Sequence, residues 1–305
     1  MGKFEISNLP EYQPPAEGHV ILSSSGRPNG RFFLKIQSTP FSDESRKLPR
    51  YTFDGPCRYT RHDSGAMGRL TMLNTNCIYS TWKITLRRIS TFFRPCDRQY
   101  WNRHYRIAQT IFSGSFRSMA KQNSFKLAHK LLYGRTLKNN ETGRLTNAAD
   151  LWRLIFFDEA TKRIRTRFFT YIIDDYTWRF SETGEGYFTD YASKHALHAN
   201  CAEYVYYAGE FHPRPRYGWD RCDDEWELVF DNWSGTYAPS IDLLQNLKDL
   251  LEFNFPGLHV VVLDYKNPLL KQSTESLKAA EDEFRKTSLC LKSLVLSPSL
   301  KEEDN

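Results

Sequence analysis

The segment TRFFTYIIDDYTWRFSE, residues 166–182, decides the fold of the C-terminal half of the chain. Its first part, TRFFTYII, has the β-branched and aromatic residues that are typical of a strand, and TWRFSE has the same character. The three residues between them, DDY, predict a tight turn. The segment therefore predicts two antiparallel strands joined as a hairpin.

Three further strands and three helices are predicted downstream of this hairpin. The strand at 203–211, EYVYYAGEF, has aromatic residues on both faces, which is typical of a central strand. The other predicted elements are strands at 225–232 and 258–265 and helices at 186–199, 241–255 and about 268–290. This order predicts an α+β fold in which helices pack on a mixed, mainly antiparallel sheet.

The N-terminal half is predicted to be β-rich and then helical. GHVILSS and RFFLKIQ flank the turn-rich SGRPNG, which predicts a hairpin within residues 18–37. Two more strands are predicted at 68–74 and 80–88, because β-branched residues and alternation mark them. These strands predict a small antiparallel sheet before residue 90.

Two helices are predicted after this sheet. Apolar residues at helical spacing in NSFKLAHKLLYG predict a helix that begins at Asn123 or Ser124 and ends at Gly134 in a left-handed conformation. TNAADLWRLIFF predicts a second helix with Thr146 as its N-cap.

These elements divide the chain into four parts. They are a flexible leader at 1–17, a β-rich and then basic helical region at 18–140, an α+β domain at 145–290 and a charged tail at 291–305. Within the domain, 177–211 and 225–265 each follow the course strand, Gly-containing turn, helix and strand. The match predicts two related units, and coincidence among ordinary α/β units is the alternative.

Charge is distributed unevenly along the chain. Between Ser64 and Asn140 there are 14 Lys or Arg residues and one acid, Asp97, whereas from Asn200 onward there are 19 acids and 11 bases. Such a basic block can bind nucleic acid or an anionic surface. The alternative is that it packs beside the acidic end of the same chain. The block contains no RNP-like or helix-turn-helix motif that would favour nucleic acid.

Composition predicts a cytoplasmic protein. The six cysteines form no C-x-x-C pair and are spaced irregularly, so neither a disulfide framework nor a zinc finger is expected. No apolar run reaches the roughly 18–20 residues of a transmembrane helix. The N-terminus has no apolar signal segment. These features predict a reducing, intracellular location.

Unusual polar residues cluster in KHALHANCAEYVYYAGEFHPRP, residues 194–215. His195 and His198 lie three residues apart in the predicted helix, but two ligands do not make a metal site, and no metal is predicted. Glu210 follows a glycine at the end of the predicted aromatic strand. A His within reach of a Glu can form an acid–base pair. A hydrogen-bonded core His and a solvated strand-end Glu are the structural alternatives.

The segment DNWSGTYAPS, residues 231–240, is the second candidate. Ser234 and Gly235 are predicted to form a turn between a strand and a helix, and a helix start offers free N–H groups to an anion. The alternative is that Ser240 only caps the helix.

The two candidates are expected to converge. We expect Glu210 to meet the turn at 233–240, which contains Ser234 to Tyr237, and His195 to lie within one side-chain length of Glu210 or Tyr237. Convergence is predicted to require a crossover that makes the two strands parallel, because antiparallel strands would place the two motifs at opposite ends.

The stretch from Thr166 to Tyr265 resembles a family of fungal proteins with the pattern RFSETG…ASKHALHAN…YAGEFHPRP…DNxSGTYxP. It is similar, more distantly, to modules of bacterial toxin-like proteins that carry a His-rich segment, then AGE, then SGHYxPS before a helix. This chain has Thr236 where the bacterial pattern has His, so chemistry that needs that His is not implied. The resemblance implies a shared fold and site over about a third of the chain and no particular reaction.

These observations predict a cytoplasmic protein that binds a small anionic or polar ligand, and they leave open whether the ligand is turned over. The candidate catalytic residues are His195, Glu210 and Tyr237, and the candidate ligand-binding residues are His198, Ser234, Gly235 and Ser240. No cofactor is identified. The alternative is a structural or interaction protein that uses residues 64–140 on a protein, nucleic-acid or membrane partner.

Overall fold

The computed structural model shows an α+β fold with a mixed, mostly antiparallel sheet, as predicted. The residues it describes are 15–22, 26–35, 56–64, 79–100, 113–134, 140–159, 162–182, 198–200, 202–221, 225–233 and 238–295. The chain divides into two compact units, Met1–Asp54 and Gly55–Asn305.

The described part of the first unit is a two-stranded hairpin. Strands β1 (His19–Leu22) and β2 (Pro28–Phe32) pair antiparallel, which confirms the hairpin predicted around SGRPNG. The second strand begins inside that predicted turn, at Pro28. Gly18 precedes β1 with φ +75°, and a Cβ there would lie 3.0 Å from the Phe32 carbonyl oxygen. Glycine is therefore favoured where the hairpin closes.

The second unit is built on an eight-stranded sheet. Its strands are β3 (Cys57–Ser64), β4 (Tyr79–Thr85), β5 (Asn140–Leu145), β8 (Phe169–Ile173), β9 (Thr177–Glu182), β10 (Tyr207–Pro215), β11 (Trp226–Phe230) and β12 (Val260–Val262). They lie in the order β12-β11-β10-β8-β9-β4-β3-β5, and every neighbouring pair except β11–β12 is antiparallel. A two-residue ladder, β6 (Phe157–Asp158) with β7 (Arg163–Ile164), lies outside this sheet.

The sheet takes strands from both sides of the predicted boundary at 140–145. β4 and β9 are paired from Thr81↔Ser181 to Thr85↔Thr177. Backbone hydrogen bonds therefore join the predicted N-terminal region to the predicted C-terminal domain, and the compact unit begins at Gly55 instead. The predicted strand at 68–74 lies outside the described residues.

The two predicted strand–turn–helix–strand units are arranged differently. β11 and β12 are adjacent and parallel. β9 and β10 also run in the same direction, but β8 lies between them and is antiparallel to both. The predicted helix at 186–199 lies outside the described residues apart from its last two positions.

Five helices are described: α1 (Ile89–Phe92), α2 (Phe116–Tyr133), α3 (Ala148–Ile155), α4 (Leu244–Asn254) and α5 (Pro268–Val295). α2 begins before the predicted start, because the Ser115 side chain caps it by accepting from the Ser118 backbone N–H at 3.2 Å. Gly134 follows α2 with φ −73°, so the predicted left-handed stop is wrong. The N-cap of α3 is Asn147 rather than Thr146.

One face of the sheet carries the apolar core, which α3 and α4 cover. Trp178 is fully buried at its centre, with the rings of Phe180 and Phe211 at centroid distances of 4.5 and 5.3 Å. Leu247 and Leu251 of α4 are also fully buried. Each large side chain buried here contributes roughly 1.5–3 kcal/mol, so this face supplies most of the stability of the unit.

The other face carries polar side chains in one line across the strands. Residues directly opposite one another on neighbouring strands form a row, here named the polar row: Asn140, His62, Thr81, Ser181, Thr170 and Glu210. Side chains alternate along a strand, so the polar row points away from the core rings. Thr81, Ser181 and Thr170 are nonetheless buried. The row leads to the candidate site.

Candidate functional site

Three of the predicted site residues belong to the described part of the chain: His198, Glu210 and Ser240. The other four, His195, Ser234, Gly235 and Tyr237, lie outside the described residues. The predicted approach of His195 to Glu210 or Tyr237 therefore stays a prediction.

Glu210 lies in the middle of its strand, as the fourth of nine residues, because β10 continues to Pro215 rather than ending at Phe211. Phe211 is opposite Phe230 in the antiparallel pair of β10 and β11. The Asp231 N–H donates to the Glu210 carbonyl oxygen at 2.9 Å. Glu210 therefore adjoins Asp231 across an antiparallel pair, without a parallel crossover. Its predicted meeting with Ser234 to Tyr237 lies outside the described residues.

Asp231 is the buried centre of this meeting point. Its Oδ1 accepts hydrogen bonds from the backbone N–H of Glu210 at 2.8 Å and of Trp233 at 2.9 Å, and the residue is 7% exposed. Its carbonyl oxygen accepts from the Tyr171 hydroxyl at 2.9 Å. A Cβ on Gly209 would lie 2.2 Å from that carbonyl oxygen. The glycine before Glu210 thus gives room to the protein backbone.

Burial raises the pKa of the Asp231 carboxyl to about 7. The nearby charges of Glu210 and Asp264 raise this pKa further, whereas the two backbone N–H donors lower it. A carboxyl group with a pKa near neutrality can accept or release a proton under physiological conditions. Asp231 was not among the predicted site residues.

The parallel pair β11–β12 brings a third carboxylate to the same edge. The chain leaves β11 at Asp231 and Asn232 and leaves β12 just before Asp264, and parallel strands end at the same edge. The Asn232 side chain donates to Asp264 Oδ2 at 3.2 Å and accepts from the Tyr265 N–H at 2.8 Å. We name Glu210, Asp231 and Asp264 the carboxylate edge.

Two aromatic rings stand beside the carboxylate edge. Trp233 and Tyr265 stack with a centroid distance of 5.0 Å and an interplanar angle of 21°, and Trp233 is 40% exposed. Glu210 and Asp264 are half-buried. The edge therefore combines a buried titratable carboxyl, two more accessible acidic residues and an exposed aromatic surface.

Ser240 has the contacts of a helix cap. Its side-chain oxygen accepts from the Asp242 N–H at 3.3 Å, at the start of the 3-10 turn Ile241–Leu243 that leads into α4. Its carbonyl oxygen accepts from the Tyr207 hydroxyl at 3.0 Å. These contacts match the capping alternative.

His198 belongs to a separate buried cluster on the polar face. Its Nδ1 lies 2.6 Å from the Tyr133 hydroxyl of α2, and its Nε2 lies 2.9 Å from Ser181 Oγ. Arg179 donates to the His198 carbonyl oxygen at 2.6 Å and pairs with Asp174 at 2.7 Å. Ser181 and Glu210 are two strands apart in the polar row, or roughly 10 Å. Both ring nitrogens are thus engaged within the protein.

Among the described residues, no group of three His, Cys, Asp or Glu side chains could hold a metal ion. Within the same ranges, no helix is long and apolar enough to cross a membrane. These two findings cover the described part of the chain alone.

Neither a protein-family model, nor a curated protein, nor a solved structure matches the chain. The resemblance to the fungal family and to the bacterial modules therefore stays a prediction. What can be argued about function comes from the described side chains.

Sequence reasoning missed Asp231, Asn232 and Asp264, although a signal for them existed. LVFDN and VVLDY both end an apolar strand with Asp followed by Asn or Tyr. Polar residues directly after strands in an open sheet are typical of ligand sites. Only the parallel pairing of these two strands shows that the acids meet.

Proposed function

We propose that the carboxylate edge binds a small polar ligand through N–H or O–H donors on that ligand. The observation that supports this most is Asp231, a buried carboxyl with a pKa of about 7 flanked by two further acids. Carboxylate oxygens accept hydrogen bonds, and charge-assisted bonds of this kind are stronger than neutral ones.

The carboxylates favour a polar or cationic ligand over the predicted anionic one. Like charges a few ångströms apart repel each other, and partial burial strengthens the repulsion by lowering the effective dielectric constant. The exposed ring of Trp233 adds a surface on which an ammonium group or the apolar face of a sugar can lie. An amine or amino sugar fits both features.

The same edge supports proton transfer. The Asp231 carboxyl is held by two backbone N–H groups that fix its orientation. A fixed acid with a pKa near 7 suits general acid–base catalysis. Turnover of the ligand is thus part of the proposal, with Asp231 as the proton-transferring group and Glu210 beside it.

Thermal-shift measurements with putrescine and glucosamine, against inorganic phosphate, test this function. A ligand at about 100 times its Kd stabilises the fold by roughly 2.7 kcal/mol. We expect Asp264→Asn and Glu210→Gln to reduce the shift given by the amines. Glu275→Gln, on the exposed part of α5, removes the same charge elsewhere and should leave the shift unchanged. Stabilisation by phosphate alone would contradict the proposal.

The second candidate function is interaction with a macromolecule through the basic middle region. Helix α2, in the described part of residues 64–140, has four Lys or Arg residues and no acid in 18 positions. Binding of the whole chain to labelled single-stranded RNA and to anionic vesicles, at rising salt, tests it. Salt-sensitive binding to either would support it, and binding to neither would reject it. A cytoplasmic location also remains a proposal.

A further inference from the structure

Helix α2 has one face on the sheet and a second apolar face in solvent. Ser118, Leu132 and Tyr133 are buried, and the helix packs on β3 and β4. On the opposite side, four large apolar side chains are between 51% and 86% exposed: Phe116, Met119, Leu127 and Leu131. We name these four side chains the outer stripe.

The spacing of the outer stripe places its four side chains on one side of the helix, where Asn123 and Lys130 also lie. At about 100° per residue, positions 116, 119, 127 and 131 fall within roughly a third of the helix circumference. The buried residues lie on the other side of the helix axis. Isolated exposed apolar residues are common, but four in one line on a helix form a patch, and patches mark interaction sites.

Positive charges lie beside and within the outer stripe. By the same spacing, Arg117 lies beside one border, Lys126 and Lys130 lie at the other border, and Lys121 lies nearer the sheet-facing side. All four are exposed, and no acidic residue occurs between Arg98 and Asn140. Exposed apolar side chains bordered by Lys and Arg are a feature of helices that lie in a membrane interface.

We infer that α2 docks the protein on an anionic lipid surface. The inference rests on the second proposed function and names its partner. The outer stripe enters the boundary between headgroups and acyl chains, and the flanking cations lie at the level of the anionic headgroups. The sheet-facing side of the helix stays packed on β3 and β4, so docking does not require α2 to leave the fold.

The apolar residues distinguish a lipid surface from nucleic acid. Nucleic acid binding neutralises phosphates with Lys and Arg, and it would leave four large apolar side chains of the outer stripe without a role. An acidic protein could pair with the Lys and Arg residues, but it would bind in the absence of lipid. A lipid surface accounts for charge and apolar area together.

Cosedimentation of the full chain with phosphatidylcholine vesicles, with and without about one-third phosphatidylserine, tests the inference. We expect binding to the anionic vesicles only. Lys126→Gln with Lys130→Gln should weaken it by about 25-fold, at roughly fivefold for each cation near the surface. Leu127→Gln with Leu131→Gln keeps good helix formers and the charge, and should weaken it by about tenfold or more.

The matched control is Lys271→Gln with Lys278→Gln on α5, which removes the same charge from another exposed helix and should leave vesicle binding within about twofold. An equal loss in this control, or no loss in the leucine variant, would overturn the inference. Binding to single-stranded RNA without binding to vesicles would overturn the lipid partner and leave the interaction function standing. Binding to neither would reject both.

Discussion

The two faces of the eight-stranded sheet are held by different interactions, apolar packing on one and hydrogen bonds on the other. On the core face, Trp82, Trp178 and Phe211 are packed among other rings and the leucines of α4. On the other face, the buried Ser181 hydroxyl and His198 are hydrogen-bonded to each other, because an unpartnered buried polar group is costly. Packing on the core face supplies most of the stability, and hydrogen bonds on the polar face hold its side chains in fixed positions.

The largest effect is expected from removing a ring of the core face. Trp178→Ala should lower the free energy of unfolding by about 3–5 kcal/mol, because it leaves a cavity between Phe180 and Phe211. Urea denaturation followed by circular dichroism measures this.

Trp178→Phe is the matched control. The indole N–H of Trp178 has no hydrogen-bond partner among the described residues. Removing the N–H therefore breaks no hydrogen bond, and Trp178→Phe should lower the free energy of unfolding by less than half as much as Trp178→Ala. Equal losses would mean that the ring packing is not what stabilises this face.

The next largest loss of stability is expected at Gly209, which lies against the backbone of Asp231. In Gly209→Ala the new methyl group would collide with the Asp231 carbonyl oxygen, at 2.2 Å in the present backbone. A loss of about 1–3 kcal/mol or more is expected, since the backbone of β11 must shift. Gly218→Ala, where no atom lies within 4 Å but φ is +91°, separates conformational strain from collision. A smaller loss at Gly209 than at Gly218 would contradict the close approach.

On the polar face, removing a single hydrogen bond should lower the free energy of unfolding. Tyr133→Phe removes the hydroxyl 2.6 Å from His198 Nδ1 and keeps the ring, so a loss of about 1–2 kcal/mol is expected. Ser181→Ala should act on the other ring nitrogen by a similar amount, and the double variant should be non-additive. Tyr217→Phe, at an exposed tyrosine, should change stability by less than about 0.5 kcal/mol. Strict additivity would indicate that the two bonds are independent.

Stability also changes with pH, by roughly 1 kcal/mol per pH unit for each buried group whose pKa is shifted. The folded protein binds the Asp231 proton more tightly than the unfolded chain does, since the pKa is raised to about 7. This contribution is complete below pH about 4 and is lost as pH rises towards 7. Burial lowers the pKa of His212 and of His129 to about 3, so their contributions are present above pH about 6.5 and are lost as pH falls.

The two kinds of group can be separated by isosteric variants. Asp231→Asn should make stability rise more steeply with pH between about 4 and 6.5, because only the histidine contributions remain there. His212→Gln, which keeps a nitrogen near Ser273 Oγ, should make stability rise less steeply with pH than it does in the unchanged protein. Guanidinium denaturation at several pH values measures both slopes. The same slope in the two variants would contradict the opposite signs.

Local patterns predicted the elements whose residues repeat regularly. Alternation in STWKITLRR and in the 166–182 hairpin matches β4, β8 and β9, and the apolar run LHVVVLDY contains β12. The start of α2 was missed although Phe116 and Met119 of FRSMAKQN are at helical spacing. The cap of α2, Ser115, is a single residue in a loop. The outer stripe of α2 is exposed, although apolar residues are expected to face the core.

Pairing between distant strands could not be predicted from the sequence. The contact of β4 with β9 joins residues about 100 positions apart, and no local pattern records it. Glu210 was expected to meet the turn at 233–240 rather than Asp231, and the end of its strand was placed too early because β10 extends through two prolines to Pro215. Proline is unusual within a strand, and the sequence HPRP argued for an end there.

The two ends of the described sheet bear on how the protein behaves at high concentration. β12 is three residues long, and β5, NETGRL, exposes Glu141 and Arg144. A strand from a second molecule that paired with β12 would find few backbone groups for hydrogen bonding. One that paired with β5 would have to lie beside the exposed charges of Glu141 and Arg144. The two ends of the eight-stranded sheet therefore offer little to the edge-to-edge stacking that builds fibrils.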